Sequence, residues 1–255
     1  PGVEVKVSLA QKGGYLAEME VRELDSKRTN DRNDYSSDEV FANFRPVVMG
    51  NIAEGVLYRT SSPVNPELGR NAVADKLIES VGVKTIVNLA DCRNRIADYE
   101  GFANTYYAKQ NYVCLNMGVD MYAADALEDL KNGLEFMAEK PGPYAFHCTE
   151  GKDRAGYFAM LLEALMGADT EEIVNDYMLS FENYYFVEKG SAQWHKIAQS
   201  NIEKDILKLT GAKNMEEAAK ADLSAAAEKY MLETIGLTQA QVDAIKTNLS
   251  TPVAK

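Results

Sequence analysis

The pattern of apolar positions changes several times between residues 47 and 165. Short apolar runs rich in β-branched residues predict strands, and the segments with apolar residues at helical spacing predict helices. Strands that alternate with helices are typical of a parallel-rich sheet with helices on both faces. The sequence therefore predicts an α/β fold with strands at 56–60, 84–90, 112–117 and 144–146 and helices at 72–81, 127–137 and 156–165.

Beyond Gly167 the pattern is helical throughout. Apolar residues recur at helical spacing and charged residues occupy the outer faces, which indicates an all-helical C-terminal part. Thr170 and Thr238 stand where helix N-caps are expected, because a hydroxyl there can accept a hydrogen bond from a backbone N–H. The predicted helices cover 171–181, 192–209, 215–235 and 239–249.

The N-terminal end has a different pattern. Residues 3–9 alternate apolar and polar, Gly13-Gly14 marks a turn, and residues 15–21 can return as the second strand of a hairpin. The stretch 23–40 is then mostly charged and polar. We therefore divide the chain into a short N-terminal β extension at 1–46 and a main domain at 47–255.

One segment combines a buried strand with reactive side chains. Residues 144–146 form an apolar run, Gly151 marks a loop, and residues 158–165 carry apolar side chains at helical spacing. A loop that enters a helix turns several N–H groups toward one point, where the helix dipole adds positive charge, so the loop suits phosphate. Cys148 stands at its entrance, where the same field stabilises a thiolate nucleophile. Arg154 can hold two phosphate oxygens with its planar fork.

Residues 147–156 read His-Cys-Thr-Glu-Gly-Lys-Asp-Arg-Ala-Gly. This segment resembles the signature loop of the protein tyrosine phosphatase superfamily, and its Gly-Lys-Asp-Arg part is similar to the bacterial tyrosine and dual-specificity branch. The run at 56–60 resembles the Leu-Tyr-Arg-Ser segment that opens many catalytic domains, although the residues alone favour an ordinary strand followed by a loop. The resemblance implies a three-layer cysteine-phosphatase-like fold, a catalytic domain at 47–255, a phosphocysteine intermediate and no metal or cofactor. It also implies phosphate binding by Thr149, Glu150, Gly151, Lys152, Asp153 and Arg154.

The leaving oxygen of a phosphate ester needs a proton from a positioned acid. Members of the superfamily take it from an Asp on a neighbouring loop, and Asp120 stands at the matching place, after one strand and before the helix that leads to the signature strand. Its flanks match neither Trp-Pro-Asp nor Asp-His-x-x-Pro. Asp153 is an alternative, because bound phosphate would drive a carboxylate in the loop to its protonated form. Asp91 is a third candidate, and its competing interpretation is a helix N-cap.

Three further residues of the loop segment carry expectations. Lys152 is either a solvated lysine or, as in the lipid phosphatases of the superfamily that have Gly-Lys there, a contributor to phosphoinositide recognition. We expect the Glu150 side chain to point to solvent and to disfavour acidic peptides. His147 alternates with Cys148 along the strand, so it should face away from the phosphate site and hold the loop by a hydrogen bond.

Ala155 departs from the superfamily pattern, which has Ser or Thr directly after the Arg. The hydroxyl at that position donates to the sulfur and helps to release phosphate. Loss of one donor to a buried thiolate lowers the rate by about 10–150-fold. The site is then slow, unless Thr149 supplies the missing donor.

Composition narrows the range of functions. The formal net charge of −12 argues against nucleic-acid binding, which needs a basic surface. Three cysteines form no disulfide framework, and two histidines exclude a multi-histidine metal site. No apolar run is long enough for a transmembrane segment. Because the chain begins at Pro1 without a methionine, we expect it to be either an engineered fragment or a processed product, so any upstream region and the cellular location stay open.

The sequence thus predicts a protein-tyrosine phosphatase that hydrolyses phosphotyrosine-type monoesters, with Cys148 and Arg154 at the reacting group. Its partners would be phosphorylated proteins or, alternatively, inositol phosphates and phosphoinositides. A pseudophosphatase that binds phosphate but turns over poorly because of Ala155 is another alternative. A thiol redox protein that pairs Cys148 with Cys92 or Cys114 is weaker, because the chain has no Cys-x-x-Cys.

Overall fold

The computed structural model describes residues 28–253 in full and residues 7–10 and 16–19 as backbone. The predicted N-terminal hairpin is present, since Val7 pairs with Met19 and Ala10 with Leu16 in antiparallel register. The turn predicted at Gly13-Gly14 lies outside the described residues. The strands of the described chain are β1 (Val7–Ala10), β2 (Leu16–Met19), β3 (Arg45–Pro46), β4 (Leu57–Thr60), β5 (Thr85–Asn88), β6 (Asn111–Cys114) and β7 (Tyr144–His147).

The five later strands form one sheet in the order β3-β4-β7-β5-β6. Only β3 is antiparallel to its neighbour, so the predicted parallel-rich sheet is confirmed. Strand β7 lies in the middle, and its last residue, His147, is aligned with Thr60 of β4 and Asn88 of β5. The segment that follows β7 therefore emerges at the centre of the carboxyl edge of the sheet, where open α/β sheets bind their ligands.

The helices of the described chain are α1 (Asp38–Phe41), α2 (Asn71–Ser80), α3 (Arg93–Ala97), α4 (Ala124–Glu139), α5 (Asp153–Leu165), α6 (Thr170–Tyr185), α7 (Ala192–Ser200), α8 (Ile202–Thr210), α9 (Met215–Ala218), α10 (Leu223–Tyr230, continued by a π-helical turn at Met231–Ile235) and α11 (Gln239–Ser250). None of them is both long and apolar enough to cross a membrane. The all-helical C-terminal part is confirmed beyond residue 167.

Two predicted helix extents and one predicted cap are wrong. The helix expected at 192–209 is broken at Asn201, which has φ −126° and ψ −99°. The helix expected at 215–235 is interrupted between Ala218 and Leu223. Helix α6 is capped by Asp169 in a capping box with Glu172 and not by Thr170, because the carboxylate accepts the N–H of Glu172 at 2.9 Å. Thr238 caps α11 as predicted.

Helices cover both faces of the sheet. Ile86 of β5 and Ala145 of β7 belong to the same buried cluster as residues of α2, on one face. Val87 and Phe146, their neighbours along the same strands, belong to the larger cluster on the other face, with residues of α4 and α5. Helix α5 is buried along nearly its whole length because α6, α8 and α10 pack on it. The loop between β7 and α5 therefore leads into a helix that is enclosed by other helices.

The segment before β3 packs on this core. Tyr35, Phe41 and Phe44 are buried. The Arg70 side chain donates hydrogen bonds to the carbonyl oxygens of Thr29 (2.7 Å) and Phe41. The division of the chain at residue 46 stays a prediction, and residues 35–46 pack with the sheet and not apart from it.

Candidate active site

The loop between β7 and α5 follows the predicted order of strand, loop and helix. Gly151 has φ +69°, the left-handed region that favours glycine. A Cβ atom at this residue would lie 2.2 Å from the carbonyl oxygen of Thr60, so only glycine lets the loop pack on the end of β4. The loop is therefore held against the carboxyl edge of the sheet with the N-terminus of α5 behind it.

A cavity of about 600 Å³ opens at this loop. Six of the residues predicted from the sequence line it: Asp120, Cys148, Thr149, Glu150, Asp153 and Arg154. The other two, Gly151 and Lys152, do not belong to its lining. Cys148 lines the cavity although it is only 3% exposed. One cavity thus contains the thiol, the guanidinium and two of the three candidate acids.

The Arg154 guanidinium is fixed at both ends of its fork. Nη1 donates to the carbonyl oxygen of Met117 at 2.9 Å, and Nη2 donates to the Thr149 hydroxyl at 3.3 Å. Met117 precedes the loop that carries Asp120. Arg154 therefore connects the phosphate loop to the segment with the first candidate acid.

The two candidate acids of the cavity differ in their partners. Asp120 is exposed and accepts a hydrogen bond from the backbone N–H of Tyr122 at 3.0 Å. The Asp153 side chain is 67% exposed and accepts a 3.4 Å hydrogen bond from the Tyr177 hydroxyl. Asp120 is thus held at one oxygen, whereas the second oxygen of Asp153 also lies 3.7 Å from the Lys152 ammonium. Both carboxylates line the cavity.

Asp91 has a different role from the one expected. It is buried and accepts hydrogen bonds from the side chains of Asn65 (3.4 Å), Asn88 (3.3 Å) and Tyr99 (3.2 Å). It is not the N-cap of α3, because Cys92 occupies that position. Asp91 therefore fixes the segment after β5 and does not line the cavity.

The structure contradicts the interpretation of Lys152 as a solvated lysine. Its ammonium donates to the Tyr185 hydroxyl at 2.9 Å, pairs with Glu150 at 3.0 Å and lies over the rings of Phe181 and Tyr185. Burial alone would lower the pKa of Lys152, but Asp153 and Glu150 outweigh it and raise the pKa above its ordinary value. Lys152 therefore stays charged and packs beside the cavity.

Glu150 does not point to solvent, and that expectation is wrong. Its side chain is 15% exposed and pairs with both Lys152 and Arg28. Arg28 itself lines the cavity. The pattern of residues 23–40, which is mostly charged and polar, carries no signal for this ion pair.

His147 lies as predicted on the side of β7 away from the cavity. It is fully buried, and its Nδ1 lies 3.2 Å from the carbonyl oxygen of Cys148. Burial lowers the pKa of His147 to about 4, so the ring is neutral at physiological pH. This contact holds the backbone of Cys148, where the phosphate loop begins.

Asp205 and Tyr122 also line the cavity, and neither was predicted to do so. The Tyr122 hydroxyl donates to Asp205 at 2.7 Å, and burial raises the pKa of the Asp205 carboxyl. Asp205 reaches the cavity because the chain breaks at Asn201 and begins a new helix. The uninterrupted apolar spacing of 192–209 carried no signal for that break.

The part of the chain that the structure describes also bears on metal binding and on the thiol redox alternative. No three His, Cys, Asp or Glu side chains lie close enough there to hold one metal ion. All three cysteines are free thiols. Burial raises the pKa of Cys114 to about 11, so this thiol is protonated and unreactive at neutral pH.

Comparison with known proteins decides the family. Residues 42–251 match the model of the tyrosine phosphatase family. The chain belongs to the tyrosine phosphatase family. It is therefore a cysteine-based phosphatase, which is a hydrolase.

Similarity to individual proteins is limited. No curated protein matches this phosphatase. Among solved structures, the core catalytic domain of the PP-IP phosphatase SIW14 from S. cerevisiae, in complex with citrate, is similar over 65% of this chain and 94% of its own, with 19% sequence identity and a TM-score of 0.37.

Proposed function

We propose that this phosphatase hydrolyses phosphotyrosine-type monoesters through a phosphocysteine intermediate. The observation that carries the proposal is the shared cavity of Cys148, Arg154, Asp120 and Asp153 at the start of α5. A thiolate, a planar cation, a helix N-terminus and a carboxyl group are the four elements that this reaction needs. Their convergence supports the assignment of Cys148 as the nucleophile.

In the first step the Cys148 thiolate attacks phosphorus, a sulfur–phosphorus bond forms, and the bond to the ester oxygen breaks. The leaving oxygen takes its proton from Asp120, with Asp153 as the alternative donor. Arg154 and the amides of 149–154 stabilise the charge on the phosphoryl oxygens. In the second step the ionised carboxylate takes a proton from water, which attacks phosphorus and releases phosphate and the thiolate.

The walls of the cavity support an aromatic leaving group. Three tyrosine rings line it, from Tyr122, Tyr157 and Tyr177, together with Leu68 and Met121. A phosphotyrosine ring would bury apolar surface against these side chains while its phosphate reaches the loop. This arrangement favours an aryl phosphate over a short alkyl phosphate.

Two further cations favour a second candidate, an inositol phosphate or phosphoinositide headgroup. Arg28 and Lys204 line the same cavity outside the phosphate loop. An inositol ring with several phosphates could place one at Cys148 and another at these cations. A phosphotyrosine side chain has no second phosphate to use them.

Turnover of phosphotyrosine and phosphoserine peptides, phosphoinositides and inositol phosphates, measured side by side, tests the proposal. We expect the highest kcat/KM with phosphotyrosine peptides and no turnover with Cys148→Ser. A higher kcat/KM for inositol phosphates that falls in Lys204→Ala would support the second candidate instead. Turnover that survives Cys148→Ser would contradict both.

A further inference from the structure

Two buried side chains bind the phosphate loop from the protein interior. Asn43 donates from Nδ2 to the carbonyl oxygens of Glu150 (3.2 Å) and Gly151 (3.3 Å). Arg59 donates from Nε to the Gly151 oxygen (2.9 Å) and from Nη2 to the Lys152 oxygen (2.7 Å). Both side chains are fully buried and neither lines the cavity. Three consecutive carbonyl groups are thus turned away from the cavity.

The direction of these carbonyl groups fixes the direction of the amides. In a trans peptide the C=O of one residue and the N–H of the next point in opposite directions. Within residues 28–253 the one cis peptide is Gly142-Pro143, so the peptides of the loop are trans. We propose that Asn43 and Arg59 are positioning residues that turn the N–H groups of residues 151–153 toward the phosphoryl group. The inference rests on the proposed function of this loop.

A buried ionic network holds both positioning residues. Asp176 accepts hydrogen bonds from Arg59 and from Arg45 Nε, the latter at 2.6 Å. The Asn43 side-chain oxygen accepts from Arg45 Nη1 at 2.8 Å and from Asn183 Nδ2 at 3.1 Å. Because donors surround that oxygen, the amide nitrogen of Asn43 is the atom that faces the loop. The orientation of each donor is thus determined by a second set of contacts.

The network also carries surplus positive charge behind the loop. Two guanidinium groups, Arg45 and Arg59, share the single carboxylate of Asp176. Burial raises the pKa of the nearby Glu163 well above its ordinary value, which favours the neutral form of this carboxyl group and weakens its compensation of the positive charge. The excess charge and the aligned amides both favour a bound dianion.

Two variants and a matched control test the inference. Asn43→Asp keeps the shape of the side chain but puts an acceptor against the carbonyl groups. Arg59→Lys keeps the charge but loses the fork that reaches two carbonyl oxygens. The control is Asn248→Asp, since Asn248 bonds in the same way to the consecutive carbonyl oxygens of Met137 (3.1 Å) and Ala138 (3.3 Å), away from the cavity.

The readout is the dissociation constant for inorganic phosphate, measured together with kcat/KM for an aryl phosphate. We expect Asn43→Asp and Arg59→Lys to bind phosphate about 10–100-fold more weakly and to lose kcat/KM in parallel, while Asn248→Asp stays within about two-fold of the wild type. Wild-type-like phosphate binding in both variants would overturn the inference. So would an equal loss in Asn248→Asp, which would indicate general destabilisation.

The wild-type chain supplies a second test that holds even where a variant fails to fold. Amide hydrogen exchange at residues 151–153 should slow when phosphate is added, and unchanged exchange at all three would overturn the inference. A chain that binds phosphate but hydrolyses no ester contradicts the proposed function alone. A chain that binds no phosphate overturns both.

Discussion

The Tyr122 hydroxyl donates a 2.7 Å hydrogen bond to the Asp205 carboxylate. The backbone N–H of Tyr122 binds Asp120 at 3.0 Å, so one residue contacts both the candidate acid and helix α8. Tyr122, Asp120 and Asp205 all line the cavity. The bond therefore joins the loop that carries Asp120 to the C-terminal helices.

Removal of this hydroxyl should affect the chemical step more than substrate binding. Tyr122→Phe keeps the ring, which packs edge-on against Tyr157, and removes the contact with Asp205. We expect kcat to fall about 10-fold with little change in KM, because a hydrogen bond to a charged group is lost and the Asp120 loop is less well held. Steady-state kinetics check this. Tyr106→Phe, which removes a hydroxyl bound to the Val83 carbonyl oxygen at 2.9 Å, is the control, and an equal loss there would contradict the account.

The role of Asp120 can be separated from that of Asp153 by the leaving group. A general acid matters most for a poor leaving group, so Asp120→Asn should lower kcat/KM, which reports the step that expels the leaving group, by about 10²–10⁴-fold for an alkyl phosphate and by much less for a nitrophenyl phosphate. Asp153→Asn is the matched variant and should show no such dependence on the leaving group. The reverse pattern would assign the proton to Asp153.

The network behind the loop should make stability depend on pH in the acid range. Burial alone would raise the pKa of Asp176, but Arg45 and Arg59 outweigh it and lower the pKa to about 2, from the ordinary 3.8. A carboxyl group whose pKa is lower in the folded state than in the unfolded state stabilises the fold at pH values above its unfolded-state pKa. That stabilisation is lost as the pH falls through the folded-state pKa. The contribution of Asp176 to the free energy of unfolding should therefore fall by about 2–3 kcal/mol between about pH 4 and pH 2.

Urea unfolding of Asp176→Asn checks this expectation. At pH 7 the free energy of unfolding of the variant should be about 3–5 kcal/mol lower than that of the wild type, because two buried guanidinium groups lose their partner. This difference between variant and wild type should become smaller toward pH 2. Glu216→Gln removes an exposed ion pair with Lys220 and should cost less than about 1 kcal/mol. A gap for Asp176→Asn that is small, or that widens as the pH falls, would contradict the account.

The phosphate loop could be predicted because its signals are local. An apolar run, a glycine and a change to helical spacing occur within about twenty residues, and each acts on its own stretch of chain. Strand β7 and helix α5 accordingly begin and end close to where the pattern places them. Cys148 and Arg154 then meet in one cavity because the loop between those elements is short.

The buried side chains that hold the phosphate loop in place could not be predicted, since they come from distant parts of the chain. A buried arginine looks like a surface arginine in sequence, and the partner of Arg59, Asp176, lies 117 residues away. Asn43 and Arg45 fall in the stretch assigned to an extension. The break at Asn201 was also hidden, because the apolar spacing continues through it while the Asn201 side chain bonds to the Ile197 carbonyl oxygen at 2.8 Å.

A hydroxyl at position 155 should speed up this phosphatase. Ala155 is fully buried, and the Thr149 hydroxyl already accepts a hydrogen bond from Arg154. Ala155→Ser restores the hydroxyl that the superfamily pattern has directly after the Arg, and we expect kcat to rise by about 10-fold or more if release from cysteine is the slow step. Ala159→Ser, one helical turn further along α5, is the control. No gain in Ala155→Ser would show that the missing hydroxyl does not limit turnover.

The most direct test of the mechanism is to trap the covalent intermediate. An acid quench during turnover of an aryl phosphate, followed by mass spectrometry of the peptides, should locate one phosphoryl group on Cys148. Asp120→Asn is the variant to compare with the wild type. Without the general base it should accumulate more of the phosphocysteine intermediate when the substrate has a good leaving group. A phosphoryl group on another residue, or turnover that persists in Cys148→Ser, would contradict the account.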